Sequence, residues 1–71
     1  MKIKLSNSDQ ILLKEQGIFI DTTKKYSEDE ALNILNSVYD IETSFANSDK
    51  KSALRFASIY ARIADRLYHQ I

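Results

Sequence analysis

The chain has no cysteine, no proline and no tryptophan, and only one glycine and one histidine in 71 residues. Without cysteine there is no disulfide and no thiolate metal site to reinforce a small core. Nothing in that usage asks for an oxidising compartment, and a cytoplasmic location is the expectation. A single glycine excludes the phosphate-cradling loops of the G-x-G-x-x-G and G-x-x-x-x-G-K types. Missing proline and scarce glycine leave few helix breakers, so helix is the default. No stretch approaches 18 consecutive apolar residues, and no membrane span is expected. The opening Met1-Lys2-Ile3-Lys4-Leu5 runs straight into Ser6-Asn7-Ser8-Asp9, without the apolar core of a secretory signal.

What is present is ordinary for a folded domain. Hydrophobic residues make up 44% and charged residues 28% of the chain, too apolar for intrinsic disorder. A chain of 8.2 kDa is expected to form one domain, residues 1–71, with a folded surface of roughly 4,500 Å2. At this size the gain from apolar burial and the cost of ordering the chain nearly cancel. An isolated monomer is therefore expected to be marginal.

Three helices can be read, about 7–16, 28–46 and 49–70. Ser6 with Asp9 three residues later is an S-x-x-D start signal, and Gly17 stands where a left-handed residue closes a helix. Ile18 to Tyr26 is the least helical stretch, rich in β-branched and aromatic residues. It is expected to be extended, with residues 18–21 forming a minor pair with residues 2–5. The second helix opens on Ser27-Glu28-Asp29-Glu30, a capping box with three acids in the first turn. Ala31, Ile34, Val38, Ile41 and Phe45 then recur at 3-4-3-4 spacing, flanked by Leu32, Leu35, Tyr39 and Ala46. Asn47-Ser48-Asp49 breaks the pattern and offers the next cap.

The third helix repeats the spacing in Ala53, Phe56, Tyr60, Ile63 and Leu67. Its flanks add Leu54, Ala61 and Tyr68 on one side and Ile59 on the other. Its apolar arc approaches about 220°, wider than one neighbouring helix can cover. Two long helices joined by a tight turn must run antiparallel. The fold expected is all-α: a small bundle in which a short first helix packs on a long helical hairpin. Leu54, Ile59, Ala61 and Tyr68 are candidates for a self-association surface, because one short helix has two flanks to cover.

Ten basic and ten acidic side chains cancel overall, but they are segregated. Residues 1–26 hold five lysines and three acids, a net +2. Residues 27–47 hold Glu28, Asp29, Glu30, Asp40 and Glu42 and no base, a net −5. Residues 48–71 hold Lys50, Lys51, Arg55, Arg62 and Arg66 against Asp49 and Asp65, a net +3. Lys51, Arg55, Arg62 and Arg66 form one outer stripe of the third helix. The plain reading is attraction between the acidic and basic helices across their hairpin. The functional reading is a stripe that contacts an acidic partner or phosphate groups. No aromatic is interleaved with these cations for base stacking.

Chemistry finds little support. His69 is third from the last residue, on a solvated helix end, away from any nucleophile that it could activate. Asp65 and His69 are four residues apart and make a surface pair more readily than half a metal site. No Glu-x-x-His pattern is present for a carboxylate metal centre. Leu12 to Ile18 has the outline of the first helix and turn of a helix-turn-helix. The next strong helix, however, begins with three acids that phosphate would repel. The expectation is a non-enzyme without cofactor or metal, of the adaptor, inhibitor or accessory kind. It would act by protein–protein interaction and would itself form a homodimer. The alternative is a small nucleic-acid-associated protein using the basic face of the third helix.

Overall fold

A computed structural model describes residues Met1–Ile71. It contains three helices: α1 (Asn7–Glu15), α2 (Glu28–Ala46) and α3 (Lys51–Tyr68). The helical ends follow local chemistry. The Ser6 hydroxyl accepts from the Asp9 N–H at 3.2 Å and starts α1. At its other end Gly17 takes φ +81°. The N–H groups of Gly17 and Ile18 donate to the carbonyls of Lys14 and Leu13, each at 2.9 Å, which is a complete Schellman motif. Ser27 and Glu30 form the expected reciprocal capping box, with both bonds at 3.1 Å.

The third helix starts two residues later than expected, and no side chain caps it. Ser48, in the predicted cap, instead accepts from the N–H of Lys50 at 3.3 Å and shapes the turn ahead of the helix. The expected pairing of residues 2–5 with 18–21 is not formed either. The single antiparallel bridge joins Lys2 to Lys25. Met1 and Tyr26 exchange two bonds of 2.6 Å, one from each nitrogen to the other residue's carbonyl. Lys4 could not have paired with the 18–21 stretch. Its N–H donates to Gln70 Oε1 at 2.6 Å, and its carbonyl accepts from Gln70 Nε2 at 2.7 Å.

α2 and α3 pack as an antiparallel hairpin. Ala31, Leu35 and Val38 from α2 are buried against Ala53, Ala57, Tyr60, Ile63, Ala64 and Leu67 from α3. The contact line is rotated from the simplest reading of the spacing. Ile34, Ile41 and Phe45 are partly buried at its edge, while Leu35 takes the centre. On α3 the small side chains of Ala57 and Ala64 lie in the contact and let the helices approach, while Phe56 is 42% exposed. Its ring meets that of Phe45 at 5.4 Å, and Phe45 stacks on Tyr60 at 5.6 Å.

The N-terminal third lies across one side of this hairpin. Ile3 and Leu13 are fully buried, and Leu5, Leu12, Ile18 and Ile20 pack around them. The molecule measures 38 × 21 × 19 Å. Its surface is 4,970 Å2, about a tenth above the average for its mass.

Candidate interaction surface

The apolar residues of α2 and α3 that flank the contact line divide into two sets. At about 100° per residue, Ile34, Ile41 and Phe45 lie a quarter turn to one side of the α2 line, and Leu32 and Tyr39 to the other. On α3 the same count sets Ile59 on one side, with Leu54, Ala61 and Tyr68 opposite. Because the helices are antiparallel, Ile34, Ile41, Phe45 and Ile59 share one face of the hairpin. Leu32, Tyr39, Leu54, Ala61 and Tyr68 share the other.

Burial follows this division. Ile34, Ile41, Phe45 and Ile59 all pack on the core; Phe56, which the same count places beside Ile59, lies 42% exposed at the edge of that face. On the second face Leu32 is 38%, Tyr39 40%, Leu54 51% and Tyr68 60% exposed, with Ala61 half-buried between them. Of the four flank candidates from the sequence, the structure thus brings Leu54, Ala61 and Tyr68 together on an open face. Ile59 goes to the covered side. Leu32 and Tyr39 join the open face from α2. The sequence signal for them was their place beside the α2 seam, which reads equally well as core.

The basic stripe divides as well. Arg66 donates from Nε to Asp9 Oδ2 at 2.8 Å and from Nη2 to Asp9 Oδ1 at 2.7 Å. The Asp9 side chain is only 8% exposed, against 49% for Arg66. This bidentate pair fastens α1 to α3, helped by Tyr60 Oη, which donates to the Leu12 carbonyl at 2.9 Å. Lys51, Arg55 and Arg62 lie exposed on α3 and form no ion pair.

The expected attraction between acidic α2 and basic α3 is likewise not realised as contacts. The ion pairs are Lys24–Glu30, Arg66–Asp9 and His69–Asp65, and none joins α2 to α3. An alanine-rich seam brings the helices together; Asp29 and Asp40 of α2 and Lys51, Arg55 and Arg62 of α3 point away from it, and half-buried Glu42, beside the seam, meets no cation.

Two clefts flank α1, and neither assembles reactive groups. The larger, about 800 Å3, is lined by Lys4, Ser6, Asp9, Arg66, His69 and Gln70 among others. Its Asp9 and Arg66 hold each other, Gln70 holds Lys4, and His69 Nε2 lies 3.4 Å from Asp65. A catalytic histidine needs a nucleophile in reach and a group behind it to orient it. Here the ring and its acid are each 70% exposed. The smaller, about 350 Å3, lies between Ile11 and Phe19, with Lys14 at its edge. No cluster of three or more His, Cys, Asp or Glu side chains is placed to hold a metal ion, and no helix is long and apolar enough to cross a membrane.

Two carboxylates are pulled below the ordinary range. Asp21 is held down by the hydroxyl and then the N–H of Thr23, and Glu30 by its bonds from Ser27 and then by the Lys24 ammonium. Both are turn and cap features and have no part in a reactive site. Compared with known protein families, with curated proteins and with solved structures, the chain matches none.

Proposed function

We propose that the chain acts without chemistry of its own, by protein–protein interaction, and that its open hairpin face takes a second copy. The observation that carries this reading is the unequal cover of the two flanks. Five apolar residues, Leu32, Tyr39, Leu54, Ala61 and Tyr68, occupy one side of two full-length helices with no element of the chain above them. An 18-residue helix is about 27 Å long. Two such helices side by side offer a footprint of about 550 Å2, so two copies would bury about 1,100 Å2 together, near the lower bound for a specific interface. Two exposed tyrosines suit that role, since aromatic anchors are enriched in interface cores.

Sedimentation across a concentration series tests the proposal. The chain is expected to dimerise on the order of micromolar concentration and to stay dimeric at about 0.5 M salt, because apolar contact is not screened. Leu54→Glu with Tyr68→Glu is expected to give a monomer of unchanged helical content. A parent chain that stays monomeric at about 500 μM sinks the proposal, since a dissociation constant above that is weaker than about −4.5 kcal/mol.

A second reading has one observation in its favour: Lys51, Arg55 and Arg62 have no ion partner. A nucleic-acid role would show as binding that weakens steeply with salt and is lost in Arg55→Glu/Arg62→Glu. No mobility shift at low salt would end it.

A further inference from the structure

Two copies can join their open faces about a two-fold axis in two ways. If the axis runs parallel to the helices, α2 of each copy lies on α3 of the other. If it runs across them, α2 lies on α2 and α3 on α3. The apolar residues alone do not choose, since both helices present them. Charge does. Just beyond the open face, α2 carries Asp29 and Asp40, and the chain from 27 to 47 has no base at all. On α3 the outer stripe beyond Asp65 is Lys51, Arg62 and Arg55. Within one chain these two sets make no contact with each other.

We infer that two copies pack with α2 of one on α3 of the other, the two-fold axis parallel to the helices, so that the segregated charges pair between chains. This rests on the self-association proposed for the same face. Packing like on like would line acid against acid and base against base, which costs free energy and selects the other arrangement.

The geometry is restrictive. Rotation about an axis parallel to the helices leaves every residue at its own height. Tyr39 of one copy therefore comes level with the part of α3 in the second copy that it flanks in its own chain, between Leu54 and Ala61. Asp40 falls between the levels of Arg55 and Arg62 of that copy. The result is an antiparallel four-helix bundle in which each helix neighbours only helices of opposite direction. The N-terminal third of each copy lies outside, so both Ile11–Phe19 clefts stay open.

The absence of native cysteine makes the test direct. Tyr39→Cys and Ala61→Cys chains, distinguished by mass, are mixed and mildly oxidised. The mixed disulfide is expected to dominate over either homodimeric one. Leu32→Cys with Tyr68→Cys, both at exposed positions, provides an independent pair. Asp40→Arg is expected to weaken association about tenfold at low salt, and adding Arg55→Asp and Arg62→Asp in the same chain is expected to recover it. A dominant Tyr39→Cys homodimeric disulfide would overturn the arrangement while leaving self-association standing. A parent chain that never dimerises would overturn both.

Discussion

The two faces of the α2–α3 hairpin start from nearly the same material and end differently. Ile34, Ile41, Phe45 and Ile59 on one side, and Leu32, Tyr39, Leu54, Ala61 and Tyr68 on the other, flank the same contact line at similar angles. The first set packs on the core, on the side where the N-terminal third is fastened, with Phe56 partly exposed at its edge. The second stands exposed but for half-buried Ala61. Amphipathic width therefore does not by itself say which residues become core. The deciding factor is a cover whose fastenings all lie on one side, namely Asp9–Arg66, Leu12–Tyr60 and Lys4–Gln70. A flank without such fastenings has the same chemistry and no roof.

The contrast can be broken most forcefully from the covered side. Leu13 is fully buried beneath the hairpin, and Leu13→Ala should cost about 3 kcal/mol in a denaturant titration. Arg66→Ala comes next. It leaves the Asp9 carboxylate buried without its partner, and a loss of about 2–3 kcal/mol is expected, with Asp9→Asn/Arg66→Ala recovering part of it. Tyr60→Phe removes only the bond to Leu12 and should cost about 1 kcal/mol. On the open face, Leu54→Glu should change the stability of the monomer by no more than about 0.5 kcal/mol. If it costs as much as Leu13→Ala, the two faces are not different in kind.

The smallest effect lies at the start of α2. The carboxyl of Glu30 is held low by Ser27 and Lys24. Its stabilising contribution is therefore complete above the usual glutamate range and lost as pH falls through its lowered folded value. Acid titration followed by circular dichroism should show a shallower acid loss in Glu30→Gln, which keeps the cap but does not titrate.

The sequence specifies structure directly where the chemistry is local. The capping box at Ser27–Glu30, the left-handed Gly17 and both limits of α2 depend on residues within a few positions of each other. The start of α3 differs from the sequence signal because Ser48 serves the turn and not the helix. The spacing on α2 points to Ile34 while the core line lies at Leu35, because one helix alone does not reveal where its neighbour stands. Asp9 belongs, in sequence, to the start signal of α1. Its burial against Arg66 depends on a residue 57 positions away, and periodicity holds no information at that range. The sequence of α3 alone shows more apolar arc than one neighbour can cover. Which flank would be left uncovered depended on where α1 docks.

The fastenings of the N-terminal third have a consequence for the order in which the molecule assembles. They span 48, 57 and 66 residues, so each closes a loop of about two thirds of the chain or more, whereas α2 and α3 meet across a turn of four residues, Asn47–Lys50. Short loops close first because they forfeit less chain entropy. The hairpin therefore forms early, with both flanks bare, and the roof settles afterwards. During that interval Ile59 and Ile41 are as available to a neighbouring molecule as Leu54 and Tyr39, and the docking of α1 ends the ambiguity between correct and mistaken association.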